Sequence, residues 1–299
     1  MLRPVIVGVD GSAESLAAAG WAAREARLRQ TTLQVVHAWS WQPHPGATEA
    51  DRAVQRHWAG RILREAEDHL RARYPQVPLV SRQADRPALE TLLRCADEAQ
   101  VLVLGSLGLG GLSGFLMGSL ALQVVARARC PVILVRAGEQ ETDEHLPDPR
   151  GHSSTSTGLR DVVLGLDLDQ PCDEVIAFAY EAAALRGAPL RIVHVYRPPS
   201  PYAMAAGADL TSGYDLAAER EKALSAVVRQ WQEKYPQLAL SAQAVEGRVA
   251  YRLVHGAAQA GLLVVGRRHR AASVGPRIGA VAHAALHHAK CPVAVVSHS

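Results

Sequence analysis

The sequence predicts an α/β protein built twice: two tandem doubly wound domains, each a five-stranded parallel sheet with helices on both faces. Three observations predict it. The chain repeats itself along most of its length, and within each copy short β-branched runs alternate with longer Ala/Leu/Arg stretches of helical period. The strand-like runs, VIVGV and VLVLG among them, are apolar at successive positions rather than at every second one. A strand apolar on both faces needs cover on both sides, the usual setting of a parallel sheet.

The repeat is read from matched segments. LQVVHAW at residues 33–39 matches LRIVHVY at 190–196, an offset of 157. RYPQVPL (73–79) matches KYPQLAL (234–240), VLVLGS (101–106) matches LLVVGR (262–267), and RCPVILV (129–135) matches KCPVAVV (290–296), all at offset 161. Copy two therefore carries four extra residues (161 less 157) between its second strand and the YPQ segment. Residues 138–158 are acidic, then rich in Pro, Gly, Ser and Thr, without apolar periodicity. They read as a linker between domains at 1–137 and 159–299.

In copy one, strands are expected near 4–10, 32–38, 77–83, 101–105 and 131–136, and helices near 13–29, 50–73, 87–99 and 118–128. Ser12 is the expected N-cap of the first helix, with Glu14 in its first turn to suit the helix dipole. The last strands, PVILV and PVAVV, would each be the apolar edge of a five-stranded sheet. An uncovered apolar edge associates, so the two are expected to pair across a pseudo-two-fold within the chain, with a further homodimer of chains open.

Composition narrows the function classes. Net charge is +3, with 16 Arg against 12 acidic residues in 1–136 and 15 basic against 12 acidic in 160–299. That is no excess on the scale of nucleic-acid binding. Residues 99–126 carry no charge but hold six glycines, and their counterpart in copy two carries Arg267, Arg268, Arg270 and Arg277. A buried strand and a glycine loop are expected there, not a membrane span. Cys95, Cys130, Cys172 and Cys291 form no CxxC pair and read as small buried hydrophobes. The first strand begins without a signal-type leader, which predicts a cytoplasmic, reduced protein.

Ligands of doubly wound folds bind at the carboxyl ends of the strands, and two such ends stand out. One is Gly8-Val9-Asp10-Gly11-Ser12, whose aspartate suits hydrogen bonds from a sugar or base and also suits a plain turn. The other reads Gly105-Ser106-Leu107-Gly108, nine residues, then Gly118-Ser119 at a helix start. Glycines let backbone N–H groups close on an anion at a helix N-terminus, with serine hydroxyls as neutral donors. Spacing alone leaves a ligand-free glycine loop equally open.

A GVDGS strand end, then G-x2-G-x9-G-[ST], then a CPV-type last strand, resemble the universal stress protein family over both copies. The resemblance implies Rossmann-like domains of the adenine nucleotide alpha hydrolase type, ATP with or without Mg²⁺ as ligand, and a stress or signalling role. It implies that Asp10 meets the adenosine end, Ala38 packs near the base, and the loop glycines and serine hold the phosphates. The binding residues then expected are Gly8, Val9, Asp10, Ala38, Leu104, Gly105, Ser106, Gly108, Gly118, Ser119 and Leu120. In copy two the matching positions are Asp167, Val195, Gly266 and Gly279.

Copy two departs from that pattern. Leu168-Asp169 replaces Gly11-Ser12, His269 replaces the second loop glycine, and Ala280 replaces the serine. A weakened or absent site is expected there, the rival being an anion site assisted by the arginines. Copy one contains no lysine, so no Walker-type Lys can reach a β/γ-phosphate. A nucleotide-binding module is therefore preferred to a slow Mg²⁺-dependent ATP hydrolase or a ligand-free scaffold, and AMP or cAMP could replace ATP. His283 and His287, four apart on a helix, lack an acidic or Cys companion, so no metal site is expected.

Overall fold

The computed structural model describes residues 2–41, 48–106, 118–197, 212–269 and 278–298. Copy one runs β1 (Val5–Gly8), α1 (Ala13–Leu28), β2 (Leu33–Trp39), α2 (Glu49–Arg73), β3 (Leu79–Asp85), α3 (Ala88–Glu98), β4 (Val101–Ser106), α4 (Ser119–Arg127) and β5 (Val132–Arg136). Copy two runs β6 (Val162–Gly165), α5 (Asp173–Arg186), β7 (Leu190–Tyr196), α6 (Ser212–Gln232), β8 (Leu240–Glu246), α7 (Val249–Gly256), β9 (Leu262–Arg268), α8 (Ala280–His288) and β10 (Val293–His298). The α/β alternation read from the sequence is the one observed.

The strands form one ten-stranded sheet in the order β3-β2-β1-β4-β5-β10-β9-β6-β7-β8. Pairing within each copy is parallel, while β5 and β10 meet antiparallel, with Ile133 opposite Ala294. The apolar PVILV and PVAVV runs thus lie mid-sheet rather than on an edge, which leaves β3 and β8 outermost. In each copy the winding reverses beside the first strand, between β1 and β4 and between β6 and β9. Crossover connections leave the two faces there in opposite senses, which opens a crevice at the carboxyl ends.

Two hydrophobic cores cover the sheet, one per face. One packs β1, β2 and β6 against α1, α2, α5 and α6 through Val7, Trp21, Leu63, Leu164, Ile176 and Leu224. The other holds Ile6, Leu92, Leu102, Val124, Leu253 and Leu286, from strands and from α3, α4, α7 and α8. Both cores contain residues of both copies. Fully buried aliphatics such as Ile6, Leu102 and Ile133 each contribute roughly 1.5–3 kcal/mol relative to exposure.

Charged side chains tie the seam. Glu25, 1% exposed, accepts hydrogen bonds from Arg29, the C-cap of its own helix, and from Arg186 of α5, while Arg29 also reaches Glu181 at 2.9 Å. Burial would raise the Glu25 carboxyl, but the two guanidinium groups outweigh it and hold the carboxyl below its usual range. On the opposite face the exchange is reciprocal. Arg136 of copy one donates to the carbonyl of His287, in the last turn of α8, at 2.9 Å. Arg267 of copy two donates to the carbonyl of Ala128, the C-cap of α4, at 2.6 Å. Cations on helix C-terminal carbonyls suit the dipole as well as the orphan acceptors.

The linker is more ordered than its composition suggests. A 3-10 turn spans Glu141–Glu144, and Glu144 is 7% exposed. Its Oε1 accepts from Arg24 Nε at 3.2 Å and Nη2 at 2.7 Å, while Arg24 Nη1 donates to the Tyr74 hydroxyl at 2.8 Å. His145 pairs with Leu159 across an isolated antiparallel bridge. The segment is a strap fastened to α1.

Candidate nucleotide clefts

In copy one the carboxyl end of β1 delivers Asp10, an exposed side chain whose Oδ1 accepts from Ser12 N at 3.0 Å and Ser12 Oγ at 2.6 Å. Ser12 is indeed the N-cap, its Oγ accepting from Ser15 N at 3.2 Å. Partial burial would raise the Asp10 carboxyl; hydrogen bonds from Ser12 and Ser15 outweigh it and leave the carboxyl below its ordinary value. An ionised carboxylate accepts from hydroxyl and amine donors and repels phosphate. Gly11 between them has φ +85°, a left-handed turn that favours glycine.

The glycines divide by cause. A Cβ on Gly105 would lie 2.6 Å from the backbone carbon of Glu14 and 2.8 Å from the nitrogen of Ser15, so the end of β4 touches the first turn of α1. A Cβ on Gly8 would meet Leu104 at 2.9 Å and Leu92 at 3.0 Å. Gly105 is required by packing against backbone, whereas at Gly8 only the ends of two leucine side chains would have to shift. Gly118 is different: it caps α4 at φ −54°, and a Cβ there would find nothing within 4 Å. Neither backbone strain nor any described neighbour requires glycine at that position.

The other expected residues are distributed as follows. Val9 and Leu104 are buried, Leu104 within the core under the crevice. Ala38 is half-buried on β2, Ser119 is exposed at the start of α4, and Leu120 packs partly against the core. The Ser106 hydroxyl donates to the carbonyl of Val135 at 3.2 Å, so it is committed to β5 and is no free donor for a ligand. Gly108 lies outside the described residues.

In copy two the corresponding residues surround a cleft of about 580 Å³, and Asp167, Val195, Gly266 and Gly279 all line it. Gly279 has φ +83°. His269, which replaces a loop glycine, is exposed and has no positive φ, Gln30 being the sole non-glycine with one among the described residues. The backbone at position 269 is therefore unstrained, while an imidazole stands where copy one has glycine. Arg267 corrects one expectation: it is 3% exposed and bound to Ala128 and Ser297, away from the cleft. Arg268 lines the cleft, joined by Arg197 and Arg220. Arg270 and Arg277 lie outside the described residues.

A model of the universal stress protein family matches residues 1–136 and again 158–297. The chain belongs to the universal stress protein family. It is similar end to end to other universal stress proteins. With Rv2005c of Mycobacterium tuberculosis it shares 32% identity over 308 residues, covering 99% of this chain and 97% of that one. With Rv2623 of the same organism it shares 30% over 304 residues, covering 99% and 96%. The crystal structure of a universal stress protein from Archaeoglobus fulgidus superimposes with a TM-score of 0.70 over 99% of this chain and 98% of that one. At 13% identity this last likeness speaks for the fold alone.

Against that family pattern, one pair of residues was missed as a site feature. His37 and His194 occupy matching positions of β2 and β7, both buried. His37 Nδ1 bonds the carbonyl of Val9 at 2.7 Å, and His194 Nδ1 bonds that of Leu166 at 3.0 Å. Each fixes the residue just before the strand-end aspartate. The signal was present in the matched VHAW and VHVY segments. The buried thiols of Cys130 and Cys291 are each pushed up to about 12, chiefly by desolvation, which makes them inert near neutral pH. Among the described residues no helix is long and apolar enough to cross a membrane, and no group of three or more His, Cys, Asp or Glu could hold a metal.

Proposed function

We propose that this universal stress protein binds ATP in the cleft of copy one, with or without Mg²⁺, and acts as a nucleotide-dependent stress or signalling module. Two ends of opposite electrical character support the reading. Asp10, ionised and exposed, suits the hydroxyl donors of a ribose. The N-terminus of α4, with Gly118 and Ser119, suits phosphate through its unpaired backbone N–H groups and dipole. The observation that carries the reading is Gly118. Glycine there is demanded by nothing in the described protein, so the demand is assigned to the close approach of a ligand.

The same reading takes residues 1–137 and 159–299 as two domains paired within one chain along β5 and β10, in the cytoplasm. The test is calorimetric titration of ATP with Mg²⁺ into the full chain and into Gly118→Val. Because a Cβ at this position meets no described atom within 4 Å, the variant is expected to keep its circular dichroism and melting temperature while losing the copy-one site. Retention of that site at full affinity would refute the assignment of Gly118.

A further inference from the structure

Each copy carries a cavity at the amino rim of its sheet, where the strands begin. In copy one it measures about 660 Å³ and is lined by Arg3 before β1, by Leu93 and Asp97 of α3, and by Arg127, Arg129 and Cys130 where α4 gives way to β5. In copy two a cavity of about 330 Å³ has Arg160, Ala258, Lys290 and Cys291 in its wall. These four match Arg3, Asp97, Arg129 and Cys130 at offsets of 157 and 161. The fold builds the same feature twice.

The two cavities differ in what closes them. In copy two the acidic strap completes the wall: Glu139 and Asp143 line the cavity, and the Arg160 backbone N–H donates to the carbonyl of Glu144 at 2.8 Å. Its cations are also partly spent, Arg160 on Gln259 and Arg136 on the carbonyl of His287. In copy one every described residue of the wall belongs to copy one itself. The Arg3 backbone N–H, which matches that of Arg160, has no hydrogen-bond partner among the described residues. Arg3, Arg127 and Arg129 are exposed and face a single acid, Asp97. None of the three guanidinium groups makes a hydrogen bond or ion pair among the described residues. Three like charges around one cavity favour the entry of an anion, and a free backbone donor beside them suits an extended peptide better than a compact ion.

We propose that the amino rim of copy one docks an extended acidic peptide segment of a partner protein, seated as the strap is seated on copy two. One peptide carbonyl accepts from the Arg3 N–H, and neighbouring carboxylates engage Arg3, Arg127 and Arg129. The strap's own anchor has no twin here: the match of Arg24, which receives Glu144, is Glu181. The docked segment is therefore held by the arginines of the cavity, and it carries no carboxylate at the place of Glu144.

The probe is a labelled peptide with the sequence of residues 138–143, GEQETD, followed by fluorescence anisotropy as the full chain is titrated in. Binding is expected at low salt and should weaken as salt screens the exposed charges. Arg127→Gln and Arg129→Gln should each weaken it about threefold, the range for an exposed ion pair, and together about tenfold. Circular dichroism should not change, since neither side chain has a described partner to lose. Lys290→Gln, the match of Arg129 in copy two, should leave affinity as it was. The proposal is overturned if no binding appears at millimolar concentration, if the uncharged peptide GQQQTN binds equally, or if the double substitution is without effect. Loss of binding in Lys290→Gln would put the peptide on copy two and overturn it as well. Tripolyphosphate that binds more tightly than the peptide, and is lost in the same double variant, would make the cavity a small-anion site and overturn the peptide reading.

Discussion

Cutting the strap at Glu144 isolates one buried charge. In Glu144→Ala, Arg24 keeps only its bond to the Tyr74 hydroxyl and loses both bonds to Oε1. The side chains of Arg24 and Glu144 are 5% and 10% exposed, so the freed guanidinium is not hydrated in place. Losing one partner of a buried pair costs about 3–5 kcal/mol. The strap can lift and admit water, so the lower figure, about 3 kcal/mol, is expected here. With a urea slope of about 3 kcal/mol/M for a large domain, the unfolding midpoint should fall by roughly 1 M. The double substitution Arg24→Met with Glu144→Leu removes both charges and should recover most of the loss, since apolar replacement of a buried pair is often neutral. A loss below about 1 kcal/mol for Glu144→Ala, or a double variant no better than the single, would refute the claim that this pair fastens the linker.

Three further outcomes follow from the geometry. The Glu139 carboxyl is raised to about 8, first by burial and then by Asp143 and Glu144. Its folded pKa lies above the unfolded value of about 4.3, so its contribution is complete below that value and is lost as pH rises through 8; Glu139→Gln should gain about 1–3 kcal/mol at pH 9 and nothing at pH 4, read by urea unfolding at both. Gly105→Ala should lose about 1–3 kcal/mol or more, because its methyl would press on the backbone of α1; an unchanged melting temperature would contradict that contact. Arg267→Leu, which strips the α4 C-terminus of its cross-seam donor, should lower stability by about 1–3 kcal/mol, read by urea unfolding; an unchanged midpoint would contradict that contact.

Periodicity and repetition made most of the fold legible. The runs apolar at successive positions became interior strands, and Ser12 became the N-cap, because both are local consequences of burial and hydrogen bonding. The apolar character of PVILV and PVAVV pointed to pairing, and these strands do lie side by side. Less legible were features that depend on what lies opposite. Gly105 reads as a loop glycine until α1 is seen against it, and Gly118, its partner in the motif, has no such neighbour among the described residues. Arg267 and Arg268 are adjacent, yet strand alternation sends one into the seam and the other toward the cleft. Glu144 sits in a polar, aperiodic segment, and nothing local marks it as the partner of a buried Arg24 far away in sequence.

Because β5 and β10 run antiparallel, the carboxyl ends of the two halves emerge from opposite rims of the sheet. Nucleotides seated in both clefts would stand on opposite rims, a strand length apart along the strands and four strand spacings, about 19 Å, apart across the sheet. They could neither share a phosphate nor be covered by one lid. Were both clefts loaded, partners that recognise them would be held on opposite rims and bridged through one sheet.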